Sequence, residues 1–278
     1  MDTPRVDGYT PCPSKSDWPP AEILKDAGVR YCIVGDLVAV ALGDPLVPYD
    51  FQFAIADEQL ETARSALASR GYQEAPHTGV AYFDPTATKE SSTGWPGYRF
   101  LPPGAEDWMN HIMIMPATFW HLDLSPDAWS RDTFLFPDTP CRYPRRLVYL
   151  PAIIDIVVER YSAKGLNSTI TSYFELHYVC ILSFFKDILA ALRSEDQFFV
   201  ELFLKVIMRH VREKVCYQRQ QIRAGIVTPE EARALIPRRD LKLAALKQKY
   251  RDRDRADSML QEESDIERPK ISEPSTTS

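Results

Sequence analysis

The chain has 278 residues, 45% hydrophobic and 26% charged, an ordinary globular composition sufficient for one medium core or two small ones. A net charge of −6 and a pI near 5.5 carry no signature of a general nucleic-acid binder, although a local basic patch is still allowed. No run approaches the roughly 18 apolar residues of a membrane span, and the opening MDTPRVDGYTPCPSKSDWPP lacks the basic-then-apolar order of a secretory signal. Five widely spaced cysteines (Cys12, Cys32, Cys141, Cys180, Cys216) with no CxxC read as free thiols in a reducing compartment, so a cytoplasmic or nuclear protein is expected.

In chain order, residues 1 to about 17 read as a loose arm. PPAEILKDAG reads as a helix with proline in its first turn, capped by Ser16 or Asp17 and ended by Gly28. The apolar run Tyr31 to Val34 predicts a strand ending in Gly35-Asp36, and Leu37 to Leu42 a short helix closed by Gly43. A second strand, Asp50 to Ala56, sets Asp50, Gln52 and Ala54 on one face and Phe51, Phe53 and Ile55 on the other. Asp57 is expected to cap an amphipathic helix stopping at Gly71.

Further strands are expected over residues 79–83 (GVAYF), 98–101, 111–115 (HIMIM) and 119–124 (FWHLDL), with a polar loop after the first. From residue 144 the period becomes helical. YPRRLVYLPAIIDIVVERYSAK is expected to form a helix stopped by Gly165, followed by helices over 169–193 and 198–223. Thr228-Pro229-Glu230-Glu231 is a capping box with proline at the first helical position, opening the helix EEARALI. Residues 241–250 can be helical, and the charged, then Ser/Thr/Pro-rich end from about 251 is expected to be disordered. The expected organisation is an arm (1–17), an α/β domain (18–143), a helical region (144–250) and a tail (251–278).

A strand ending in a glycine turn, a short helix, then a strand bearing spaced carboxylates resembles the nucleotidyltransferase superfamily with the polymerase-beta-like minimal fold. Here Gly35-Asp36 and Asp50-Phe51-Gln52 carry the resemblance. HLDLSPDAWS followed by PCRYPRRLVYLPAIIDIVVER is also similar in order to fungal nucleotidyltransferase-like proteins, which extends the likeness over roughly residues 20 to 190. The resemblance implies an α+β fold, a small mixed sheet flanked by helices, with a helical C-terminal region to hold a base or an acceptor. It implies a glycine turn approached by a triphosphate, and paired carboxylates holding two divalent metals, Mg²⁺ or Mn²⁺, for phosphoryl transfer. Two positions depart from that pattern. Asp36 sets an anion where a triphosphate would sit, and Gln52 replaces a carboxylate with a neutral amide.

Each candidate has a second, structural reading. Asp50 is the first metal ligand and catalytic carboxylate, or a polar residue opening a strand after a turn. Gln52 is a weakened, nucleotide-contacting amide, or a solvent-facing strand residue. Asp123 is the later-strand carboxylate completing the metal and catalytic set, sharing a strand face with His121, or a turn cap together with Ser125. Gly35 is needed by the turn whether or not a phosphate arrives, and Asp36 can contact the nucleotide or simply cap the helix. Arg142, Arg145 and Arg146 form a phosphate clamp or partners for nearby acids. The basic stripe Arg209, Arg212, Lys214, Arg219 and Arg223 reads as a solvated helix face, His177 as a hydrogen-bonded core histidine, and Cys180 as core filler.

Three functions follow. The first is a degenerate nucleotidyltransferase-like protein, catalytically weak or inactive, that binds a nucleoside triphosphate or a partner. The second is an active metal-dependent enzyme using Asp50 and Asp123 on a small-molecule or RNA hydroxyl. The third is an interaction protein that self-associates through its C-terminal helices.

Overall fold

Four consecutive apolar residues, Tyr31–Val34, form strand β1, and every one of them is buried. Glycine breaks the run, and helix α2 (Asp36–Leu42) turns the chain until Gly43, in the left-handed conformation, ends it. Strand β2 (Asp50–Ile55) then returns antiparallel to β1, pairing Val34 with Gln52 and Tyr31 with Ile55. The computed structural model describes residues 5–10, 19–48, 50–75, 95–105, 111–162, 168–206, 208–236 and 249. The expected strand at 79–83, the caps at Ser16 and Asp17, the stop at Gly165, the helix at 241–250 apart from residue 249, and the tail lie outside the described residues.

The chain divides into two compact units, Met1–Gln197 and Phe198–Ser278. In the first, β3 (Gln73–Ala75), β4 (Tyr98–Leu101) and β5 (His111–Pro116) complete a five-stranded sheet of order β1-β2-β5-β4-β3. Only β2 and β5 pair in parallel, so the sheet is mixed. All six residues of β2 are buried, because both faces of this strand are covered. Helices α1 (Pro19–Asp26) and α3 (Leu60–Ser69) pack on each other, and α3 also lies against β5. Helix α4 (Pro126–Asp132) leads into a hairpin, β6 (Thr133–Leu135) and β7 (Arg142–Pro144), which lies beside the edge strand β1. The Trp129 indole N–H donates to the Tyr31 carbonyl at 2.8 Å, and the Tyr31 hydroxyl donates to the Pro140 carbonyl. Helices α5 (Arg146–Ser162) and α6 (Ser168–Leu182) pack on each other, and α6 on α2.

The strands at 31–34, 98–101 and 111–115 match their expected spans to within a residue, but other expectations are corrected. Residues 119–124 are not a strand: Ala117–Trp120 is a 3-10 turn, after which His121 adopts a left-handed φ of 52°. Closing that turn buries Trp120 completely. Asp57 does not cap α3. Its carboxylate accepts from the Thr118 backbone N–H at 3.2 Å and from the Thr118 hydroxyl at 2.5 Å, tying the turn after β2 to the turn after β5. Helix α6 ends at Leu182, where Ser183 donates to the Cys180 carbonyl and the chain turns to bury Phe185.

Residues 5–10, within the expected arm, are packed onto the fold. Val6 and Tyr9 exchange two backbone hydrogen bonds of 3.0 Å across Asp7-Gly8, both at positive φ, the geometry of a tight hairpin turn. Tyr9 is fully buried, stacked on Tyr143 at 5.0 Å and tilted against Phe134 at 5.5 Å. Asp7 accepts from the Arg146 backbone N–H at 2.8 Å, and Thr10 donates twice to the Ala41 carbonyl.

The second unit is helical. Helix α7 (Ser194–Leu202) runs across the boundary between the units. The expected helix over 198–223 is interrupted by a 3-10 turn at Phe203–Lys205 and extended residues at Val206 and Met208 before α8 (Arg209–Arg223). Arg212 Nε donates to the Val206 carbonyl freed by that break, at 2.8 Å. Helix α9 (Pro229–Leu235) opens on the expected capping box, with Thr228 and Glu231 each accepting from the other's backbone N–H. Among the described residues no helix is long and apolar enough to cross a membrane.

Tyr9 fills space that no neighbour can reclaim, so Tyr9→Ala is expected to lower the unfolding free energy by about 3–5 kcal/mol. Urea titration followed by circular dichroism measures it, and an unchanged midpoint would mean that residues 5–10 do not anchor the fold.

Candidate functional site

Register places the polar side chains. Asp50 pairs with His111 and Gln52 with Met113 across β2 and β5, and Met113 pairs with Arg99 across β5 and β4. Residues in register share a sheet face, as do residues two apart along one strand, so Asp50, Gln52, His111, Met113 and Arg99 project from the same face. All five are buried, Asp50 and Gln52 at 4% exposure and Arg99 and His111 at 2%. Gln52 is therefore not solvent-facing.

The glycine turn sits at the same end of β2. Gly35 has φ +66° and ψ −142°, a conformation that only glycine adopts at little cost. A Cβ there would stand 2.8 Å from both Gln52 Cδ and Tyr173 Oη, and closer still to Gln52 Oε1. The missing side chain is what admits the Gln52 amide. The Gly35 N–H donates to the Tyr149 hydroxyl at 2.9 Å, and that hydroxyl lies 2.8 Å from His177 Nε2. Tyr149 thus links the Gly35 amide to the His177 ring by two consecutive hydrogen bonds. Burial lowers the His177 pKa to about 3, so the ring is neutral at neutral pH. His177 is the hydrogen-bonded core histidine expected from its apolar neighbours.

Asp36 is the first residue of α2 and makes no capping bond. Its Oδ1 accepts from the Tyr173 hydroxyl at 3.0 Å, and the same hydroxyl lies 3.3 Å from Gln52 Oε1. Burial raises the Asp36 pKa, the Tyr173 bond lowers it, and the nearby Asp44 raises it again. The Tyr173 ring stacks on His177, with 5.9 Å between centroids and parallel planes, and meets Trp95 edge-on at 5.1 Å. Helix α6 thus clamps the glycine turn onto β2 through one phenol.

Asp50 lies beside two cationic or protonatable groups, Arg99 Nη2 at 3.7 Å and His111 Nδ1 at 3.6 Å from its Oδ1. Both distances exceed a hydrogen bond; Arg99 makes a close charge contact with Asp50, and His111 is a close polar neighbour. Burial raises the Asp50 pKa to about 6, with Arg99 pulling it down and Asp36 pushing it up.

Asp123 does not join this group. It lines a groove of about 540 Å³ with Ala56, Asp57, Thr118, His121 and Ser125. At about 3.3 Å per strand residue, Ala56 lies about 20 Å from Asp50, at the far end of β2. Asp123 Oδ1 accepts from the Ser125 N–H at 2.8 Å, the turn-capping role, and that bond lowers its pKa. His121 pairs instead with Glu159 at 2.7 Å. The structure brings Gly35, Asp36, Asp50 and Gln52 together and leaves Asp123 outside.

These residues do not fit a pair of divalent cations. The later strand beside β2 offers His111 and Met113 where a further carboxylate would be needed, and a guanidinium already stands against Asp50. Among the described residues, no three His, Cys, Asp or Glu side chains gather as a metal ion requires. Arg99, His111, Tyr149 and Tyr173 were not singled out from the sequence. Tyr149 and Tyr173 lie on helices whose apolar pattern marks them only as packing residues. Arg99 and His111 sit in short strands, and only the strand order reveals their neighbour.

The cluster Arg142, Arg145 and Arg146 is engaged internally, whereas Arg209, Lys214 and Arg223 of the expected stripe are exposed. Arg146 binds Asp7 and, at 2.8 Å, Asp187. Arg142 lies over the Trp129 ring and donates to Thr133, and Arg145 donates to the Arg131 carbonyl. Arg219, expected on a solvated stripe, is buried at 1% exposure. Cys180 is half-buried, and its thiol pKa is raised by burial and by Asp44. No family model matches the chain, and no curated protein matches it.

Gly35→Ala combines a disfavoured backbone with overlap on Gln52 and is expected to cost about 2–6 kcal/mol, read by denaturant titration. His177 and Asp50 act oppositely on pH dependence. An unfolded histidine binds a proton near pH 6.5 and the folded one near pH 3, so His177 removes stability as pH falls through that window. Folded Asp50 binds its proton near pH 6 and an unfolded aspartate near 3.9, so Asp50 adds stability as pH falls. His177→Gln should therefore flatten or reverse the loss of stability between pH 6.5 and 4. An unaltered profile, from urea midpoints across pH, would contradict this reading of His177.

Proposed function

We propose that the chain is a nucleotidyltransferase-like protein that works by binding, of a nucleoside triphosphate or a partner, and not by metal-dependent nucleotidyl transfer. The observation that carries this reading is the state of Asp50. It lies at the expected end of β2, next to the Gly35 turn, yet faces a guanidinium and a neutral amide where transfer chemistry needs a second anion. The Gly35 N–H, the donor a phosphate would use, is held by Tyr149. The mixed sheet and the strand–glycine–helix–strand order support the superfamily reading. The chemistry of Gln52, Arg99 and Met113 argues against the reaction.

Titration calorimetry with ATP and CTP, with and without Mg²⁺ or Mn²⁺, tests the proposal together with a labelled-nucleotide transfer assay. Any binding should be the same in EDTA, and no label should be transferred. Metal-dependent incorporation that disappears in Asp50→Asn would establish the enzyme instead.

A second reading, self-association, is favoured by exposed apolar side chains on two neighbouring helices: Leu147 of α5, and Leu176 and Val179 of α6, at 45–53% exposure. Light scattering at micromolar concentration checks it. A dimer that Leu176→Glu converts to monomer is expected under this reading, and a monomeric wild type removes it.

A further inference from the structure

Helix α5 ends on a charge that the fold does not balance. Arg160, in its last turn, is 7% exposed, and among the described residues its Nε and Nη1 have no hydrogen-bond acceptor. The guanidinium lies 5.6 Å from the centre of the Phe119 ring. The adjacent carboxylate, Glu159, is held by His121 at 2.7 Å. Burial lowers the Arg160 pKa and Glu159 raises it, yet a guanidinium keeps its proton inside a protein. The Phe119 face and the last carbonyls of α5 offer only partial negative character, which does not offset a full positive charge taken out of water. A second orphaned donor adjoins the same ring. Trp120 meets Phe119 edge-on at 6.2 Å, is fully buried, and its indole N–H has no acceptor among the described residues. Both groups can only donate. A trapped water would satisfy hydrogen bonds but carries no charge to set against the guanidinium.

We propose that Arg160, beside Phe119 and Trp120, is a binding site for a small oxyanion, the carboxylate or phosphoryl end of a ligand. The guanidinium supplies the charge and a planar fork of N–H donors that matches either group. Nε and Nη1 are closed off from solvent, so the anion enters by a shift of the Phe119 ring, which is itself only partly buried. Tyr149, which binds the Gly35 turn, lies eleven residues back along α5, about 16 Å at 1.5 Å per residue. The site is therefore separate from the Gly35 end of the sheet and does not rest on the nucleotide-binding reading.

Thermal unfolding of the full chain, with no nucleotide present, tests it. Sodium phosphate and sodium acetate are each titrated against sodium chloride at matched ionic strength. At least one oxyanion should raise the wild-type Tm by about 3–6 °C at ten times its Kd, and Arg160→Met should abolish the rise. A rise with phosphate alone assigns a phosphoryl ligand, and one with acetate alone a carboxylate. No rise with either oxyanion overturns the proposal. So does a rise that Arg160→Met retains, which marks an adventitious ion only. If Arg160→Met does not fold, Arg160→Lys decides. An ammonium lacks the planar fork, so the rise should shrink, and an undiminished rise overturns the proposal.

Discussion

The absence of one methyl group organises this end of the molecule. Because Gly35 carries no Cβ and tolerates a positive φ, the Gln52 amide can sit directly against the turn, and Tyr173 can reach both Gln52 and Asp36. That approach draws α6 down onto the β1–α2–β2 unit. Tyr149 reaches the same turn from α5 and joins it to His177, so two long helices converge on one backbone amide. The aromatic side chains around them, Trp95, Phe119, Trp120 and Phe174, then fill the space beside Tyr173 and His177 with edge-on and tilted contacts of 5–6.5 Å. A side chain at position 35 would push against both Gln52 and Tyr173.

The same closeness bears on function. In a phosphoryl-transfer site the turn amide and the strand carboxylates point to a ligand, and the ligand and its metals supply the missing partners. Here the chain supplies its own. One phenol accepts from the turn amide, another phenol meets the amide side chain, and a guanidinium stands against the carboxylate. Each contact is modest alone. Together these contacts make this end of β2 part of the core.

How far the sequence foretold this depends on the range of the interaction. Local signals were sufficient for the strand at Tyr31–Val34, the helix after Gly35 and the Thr228 capping box, since each is fixed by a few neighbouring residues. Gly35, Asp36, Asp50 and Gln52 could be expected together because one hairpin-like unit contains them all. The partners of Asp50 could not. Arg99 and His111 come from strands about 50 and 60 residues later, and their meeting depends on β5 inserting between β2 and β4, an order that periodicity does not encode. Residues 119–124 misled for a related reason. FWHLDL alternates like a strand, but burying Trp120 and holding Thr118 on Asp57 favour a tight turn. With that turn, His121 and Asp123 lose the common face that alternation would have given them.

Strand β1 stands at an open margin of the sheet, where unsatisfied main-chain groups could recruit a foreign strand. Its Tyr31 carbonyl is already taken by the Trp129 indole, its phenol is moored to Pro140, and the β6–β7 hairpin lies alongside. An incoming chain would have to displace a tryptophan and a hairpin before finding its first acceptor. Pairing with a foreign strand is thereby opposed on that flank.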